Sequence, residues 1–192
     1  MRKVVTAIFV ALVAMSSCKE KEPKITKIYE LSEEMKAYFV NYEVGTKWIY
    51  QDTLDAANFD TIELISKEHF DVINETTLKK GFELYYKPIK SKDFKVRVTS
   101  GINNTYYVKV DPLEAGVTAL SFENHNNSWP ASVYYDKIEI TGSIYHEVII
   151  SPSGNLYYSH LSVSKNNGIV YFNKMIGNAI YGCYKLIKTI KP

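Results

Sequence analysis

The chain has 192 residues, of which 46% are apolar and 23% charged, with a formal charge of +2. That length suits one domain, and that apolar share excludes a disordered or collagen-like chain. So small a net charge gives no field to steer the protein toward nucleic acid.

The first eighteen residues carry the sharpest signal. Arg2 and Lys3 precede an uninterrupted run of apolar and small residues, 4–15. A helix needs roughly 20 apolar residues to cross a bilayer core, so this run reads as the apolar region of an export signal and not as a span. Met15, Ser16, Ser17 and Cys18 follow directly. The series resembles the lipobox of bacterial lipoproteins, in which small residues precede a cysteine that is acylated and becomes the new N-terminus. The resemblance implies that residues 1–17 are removed as a lipoprotein signal peptide. It also implies that Cys18 carries more than one acyl chain, enough for stable attachment to a membrane. Of the 23 basic and 21 acidic residues, Arg2 and Lys3 leave with the signal, so the mature chain is balanced in charge. Cys183 then stands alone without a disulfide partner, and its place between Gly182 and Tyr184 predicts a buried, inert thiol.

Residues 18–29 read as the lipidated cysteine and a short tether. Lys19, Glu20, Lys21 and Glu22 alternate in charge and Pro23 closes the run, a composition that cannot bury enough apolar area to order itself. No aspartate follows Cys18, which by resemblance to proteobacterial lipoprotein sorting implies the outer membrane, on its periplasmic face or at the cell surface.

Residues 30–192 read as a single β-rich domain. Ser32 before Glu33 and Glu34 predicts an N-cap and a short helix ending near residue 38. Beyond it the helical period disappears. Short runs of β-favouring residues fall at 48–50, 61–65, 82–86, 94–98, 106–110, 138–140, 147–150, 161–164, 169–172 and 184–187. Turn residues separate them, among them Ser100-Gly101, Asn103-Asn104, Asp111-Pro112 and Asn166-Asn167-Gly168, the last with an Asn-Gly pair suited to the positive φ of a tight hairpin. This spacing predicts an all-β fold: an antiparallel barrel or sandwich of about ten strands with a short N-terminal helix. Gly45, Trp48 and Tyr50, then Asp52, Asp55 and Asp60-Thr61, with Tyr157-Tyr158 and Gly168-Ile169-Val170 near the end, resemble a broad set of small Bacteroidota lipoproteins. That resemblance implies an envelope protein and brings no catalytic residues with it.

The residues offer little catalytic chemistry. His146-Glu147 begins like a zinc-protease helix, but residue 150 is isoleucine and the β-branched 148–150 favour a strand. His69, His125 and His160 are scattered, so no metal site and no cofactor is expected. Asp52, Asp55 and Asp60 could gather around calcium, although their spacing fits no EF-hand and a solvated hairpin loop is the better reading. Asp52-Thr53-Leu54 and Asp60-Thr61-Ile62 match the short O-glycosylation pattern of Bacteroidota proteins. Sixteen tyrosines include four doublets, at 85–86, 106–107, 134–135 and 157–158. A strand turns neighbouring side chains to opposite faces, so each doublet sends one ring in and one out. Rings lining a cavity would be Tyr86, Tyr107, Tyr135 and Tyr158, joined by Trp129 from an amide-rich loop, with an apolar or glycan ligand. Tyrosine is also simply a good strand residue, and that reading is preferred. The function expected is that of a non-enzymatic domain binding a ligand or an envelope protein, held to a membrane by its lipid and not binding nucleic acid. The alternative is a hydrolase built on inward carboxylates.

Overall fold

The structure, a computed structural model, describes residues 23–90, 93–101, 106–112, 120–123, 133–150, 158–176 and 179–192. Cys18, the residues before it and Trp129 lie outside these stretches, as do the side chains of Tyr107 and Tyr158. The elements are β1 (Lys27–Tyr29), α1 (Glu33–Phe39), β2 (Lys47–Asp52), β3 (Phe59–Asn74), β4 (Thr77–Pro88), β5 (Phe94–Ser100) and β6 (Tyr106–Pro112). β7 (Leu120–Glu123), β8 (Val133–Ile140), β9 (Ser143–Ile150), β10 (Tyr158–Ser164), β11 (Gly168–Ile176) and β12 (Ala179–Ile190) complete them. All twelve strands belong to one sheet, in the order β7-β6-β5-β4-β3-β2-β12-β11-β10-β9-β8, with β1 lying parallel against β4. The sheet curls into a half-barrel, with one short helix among the described residues, so the all-β class holds. Among the described residues no ladder joins β7 to β8.

Each of the ten expected strand runs falls inside an observed strand. β1 and β7 were not anticipated, because three or four residues are too few to show a period. β1 lies within the stretch read as tether, where Thr26, just before it, donates its backbone N–H to the Thr76 carbonyl at 2.8 Å.

The alternation of the strands sets the core. Trp48 and Tyr50, Ile62 and Leu64, Leu84 and Tyr86, and Phe94, Val96 and Val98 are all buried on one face. Their odd-numbered or even-numbered neighbours point the other way. The helix closes that inner face, burying Met35, Tyr38 and Phe39 in the same cluster. Burial of each such side chain contributes about 1.5–3 kcal/mol. Aromatic rings fill the middle: Tyr86 stacks on Phe94 with centroids 4.9 Å apart, and Tyr42 meets Trp48 edge-on at 5.1 Å. The remaining gap between helix and sheet, bounded by Tyr38, Trp48, Tyr50 and Tyr86 among others, is about 10 Å³. That is at or below the space of a single water.

Both helix ends are satisfied by other residues. The Ser32 hydroxyl accepts the Met35 N–H at 3.2 Å, as the sequence predicts. At the far end the Lys67 ammonium donates to the Val40 and Tyr42 carbonyls at 3.1 and 3.0 Å, and the Asn166 N–H donates to the Ala37 carbonyl at 2.9 Å. A cation and an amide thus meet the negative end of the helix.

The β10–β11 turn that supplies Asn166 is not the two-residue hairpin its Asn-Gly pair suggests. Ser164 pairs with Gly168, leaving Lys165, Asn166 and Asn167 in the loop, and positive φ falls at Asn166 (64°) and Gly168 (74°). The Trp48 indole donates to the Asn167 carbonyl at 3.0 Å, and the Tyr50 hydroxyl donates to the Ile169 carbonyl at 2.9 Å. A Cβ at Gly168 would lie 3.2 Å from the Trp48 indole nitrogen. Gly168→Ala therefore combines a left-handed φ with a crowded contact and should cost about 1–3 kcal/mol. For a chain of this size that lowers the thermal midpoint by roughly 2–12 °C, measurable by circular dichroism melting.

Candidate binding site

Two polar centres and one cleft stand out. The first centre lies on the inner face of the half-barrel. Asp52 and Asp60, on β2 and β3, continue the buried series of Trp48-Tyr50 and Ile62-Leu64, with only 4% and 1% of their surface exposed. Asp60 receives the Lys174 ammonium at 2.6 Å and the Lys90 N–H at 3.0 Å. Asp52 accepts the backbone N–H groups of Leu54 and Cys183 at 3.0 and 3.2 Å, and the Asn58 amide at 3.3 Å. Asn58 also donates to the Tyr184 hydroxyl at 3.0 Å and accepts from the Lys90 ammonium at 2.9 Å. The Lys174 ammonium sits 4.2 Å above the Tyr184 ring, a cation–π contact. Gly182, opposite Lys174, leaves room for this, since a Cβ there would fall 2.6 Å from Tyr184.

The reading of Asp52, Asp55 and Asp60 as a solvated loop is thus only one-third right. Asp55 is exposed and accepts the Ala57 N–H at 3.0 Å, while its two companions are interior. The reason is register: residues 52 and 60 fall on the inward phase of their strands. Among the described residues no three His, Cys, Asp or Glu side chains are placed to hold a metal ion.

A second buried carboxylate group lies on the outer face. Burial alone would raise the Glu83 carboxyl, but the Tyr85 hydroxyl at 2.7 Å, Arg97 and Lys95 hold it below the usual carboxylate range. Arg97 also lies over the Phe70 ring at 4.9 Å.

The cleft opens at the C-terminal end of α1 and has a volume of about 310 Å³. Ala37, Asn41, Tyr42 and Glu43 line it from the helix end, Thr46 from the entry to β2, Asn166 from the β10–β11 turn, and Lys191 and Pro192 from the end of the described chain. Its accessible chemistry is two amides, one carboxylate and one ammonium. Tyr42 forms its floor. That phenol is pushed up by burial, and its hydroxyl is buried without a hydrogen-bond partner.

Of the tyrosines singled out from the sequence, Tyr86 and Tyr135 have described side chains, and these two lie on different surfaces. Tyr86 faces inward and Tyr85 outward, as strand geometry requires, but Tyr86 is packed among Trp48 and Phe94 and borders the small gap of about 10 Å³ under the helix. Tyr135 lies on β8, opposite Val148, and is exposed. Cys183 is half-buried and not buried as expected, because it lies on the outward phase of β12. His146 and Glu147 lie on a strand, with Glu147 at a positive φ of 48°. Thr53 is exposed and Thr61 half-buried. Asn41, Glu43 and Lys191 gave no signal in the sequence, since isolated polar residues in connecting segments show no pattern.

Compared with protein-family models, with curated proteins and with solved structures, the chain matches none. The site is therefore argued from its own residues. Lys174→Met strands a carboxylate that has almost no access to water and should destabilise by about 3–5 kcal/mol. Asp60→Asn/Lys174→Met keeps the acceptor for Lys90 and removes the orphan charge. Chemical denaturation should place the double variant closer to wild type than Lys174→Met alone.

Proposed function

We propose that this chain is a lipid-anchored cell-envelope lipoprotein whose β domain is a non-enzymatic receptor for a small polar group, a sugar unit being the best fit, held in the cleft beside α1. The observation that carries the binding reading is the division of polar chemistry. The inward carboxylates are already committed to lysine, amide and backbone donors, whereas the amides and opposite charges of the cleft face solvent. Amide donors and acceptors beside a carboxylate suit hydroxyl groups, each of which both gives and accepts a hydrogen bond. Among the described residues, the gap under the helix admits nothing larger than water, which supports a polar ligand in the cleft over an apolar one beneath the helix. Support for the anchor is the charge, apolar run and cysteine of residues 2–18.

A hydrolase remains the second reading, since Asp52 and Asp60 do share the inner face. It would need at least one of them freed from its present partners.

Two experiments test the proposal. Labelled palmitate should be incorporated into the wild-type chain and not into Cys18→Ala, and label retained by Cys18→Ala refutes lipid anchoring at that residue. For the cleft, titration calorimetry against a panel of neutral oligosaccharides should find a binder. Asn41→Trp, which fills the cleft from an exposed position, should weaken it at least tenfold, whereas Lys137→Ala on β8 should not. Equal binding by Asn41→Trp, or release of shortened sugar by wild type, sinks the receptor reading.

A further inference from the structure

The mature chain is balanced in charge, but its charges are not evenly spread. The outward face of the sheet where β12, β2, β3 and β4 adjoin can be read from the register. One cross-strand row runs Lys188, Ile49, Thr61 and then Ile89, whose N–H bonds the Thr61 carbonyl at 2.9 Å. The next runs Ile190, Lys47, Glu63 and Lys87, and a third runs Lys185, Gln51 and Phe59. Within these rows Glu63 is the single acid, and it is paired with Lys47 at 3.3 Å. Lys87, Lys185 and Lys188 have no ion-pair partner among the described residues.

Between the lysines stand aliphatic and aromatic side chains that a soluble surface gains nothing from exposing. Phe59 is 42% exposed, Ile89 75% and Ile190 41%, with Ile187 at the β12 bulge adding 50%. The face therefore combines unpaired ammonium groups with protruding apolar tips. That pairing matches the boundary of an anionic bilayer, where headgroup phosphates meet acyl chains. Of the other acids nearby, Asp52 and Asp60 point inward and Glu43 lines the cleft, while Asp55 is exposed in the β2–β3 loop and Glu83, farther along β4 on this face, is held by Arg97 and Lys95.

We propose that this face of the sheet docks on an anionic lipid surface. Its lysines contact headgroup phosphates, and Phe59, Ile89, Ile187 and Ile190 enter the interfacial layer. The biological setting rests on the envelope reading above, but the interaction does not depend on the anchor. The orientation it imposes turns the helix and its cleft away from the membrane.

Vesicle co-sedimentation of the Cys18→Ala chain tests this without lipid attachment. The vesicles are phosphatidylcholine alone, or phosphatidylcholine mixed equally with phosphatidylglycerol. Each surface lysine strengthens binding to anionic lipid by about fivefold, so Lys87→Glu/Lys188→Glu should weaken binding to the mixed vesicles by at least 30-fold. Lys24→Glu/Lys137→Glu makes the same change of net charge at exposed positions outside this face and should retain most of the affinity. The apolar residues 4–15 are common to all these variants and cancel in the comparison. Phe59→Ser/Ile89→Ser should weaken vesicle binding but leave capture on soluble polyglutamate unchanged. Equal loss in the two charge-altered pairs overturns the proposal. So does polyglutamate binding as tight as vesicle binding, since the face would then read acidic polymer and not lipid. A failure here leaves the palmitate-labelling result for Cys18 untouched, and the reverse also holds, so the two readings fall separately.

Discussion

Trp48 and Tyr50 bring hydrogen-bonding tips into a packed core, and much of the molecule is arranged around that fact. Both side chains lie on β2, in the middle of the sheet, and both donate to carbonyls 119 residues away in sequence. An indole or phenol left unpaired at such depth costs about 1–3 kcal/mol. Meeting them requires the β10–β11 turn to lie over β2, which is why that turn takes an irregular three-residue form with Gly168 pressed against the indole. Once there, its Asn166 amide is in position to close the helix end, and Lys67 from β3 closes the rest. The helix can then fill the curl of the sheet, and the cleft is what remains where helix, turn and β2 do not quite meet.

Polar groups divide along the same lines. On the inner face, Asp60 of β3 and Lys174 of β11 join strands that β2 and β12 separate, so the pair spans the middle of the sheet. A buried ion pair of this kind adds little net stability over an apolar pair of the same shape. Its larger effect is to penalise a register that would leave either charge alone. The outer face mixes lysines and apolar tips within each cross-strand row, and the helix side keeps the cleft. On the proposals above, the outer face would meet lipid while the cleft opens on the other side of the same sheet.

The parts of this fold visible in the sequence are those governed by local physics. Ser32 as an N-cap depends on residues within one turn, and it holds. The strand runs show through alternation over a few residues, and each lies in a strand. Tyr85 and Tyr86 divide between faces because neighbouring side chains in any extended chain must. Asp52 and Asp60 show where such reasoning stops. Both looked like loop residues by type, and only the pairing of β2 with β3 shows them to share the inward phase. Tyr86 is the converse case, a plausible ligand contact that three neighbouring strands turn into core.

Composition and local pattern were enough to determine an all-β domain and the position of its helix, because period and capping act over two to five residues; the turns were less legible, since Asp111 and Pro112 lie within β6 and the Asn-Gly pair sits in a three-residue loop. The tertiary structure alone decided that β12 returns to pair with β2, that Lys174 finds Asp60, and that the lysines of three strands form one face. Those outcomes depend on contacts between residues far apart in the chain, and nothing in a local stretch of sequence carries the register that brings them together.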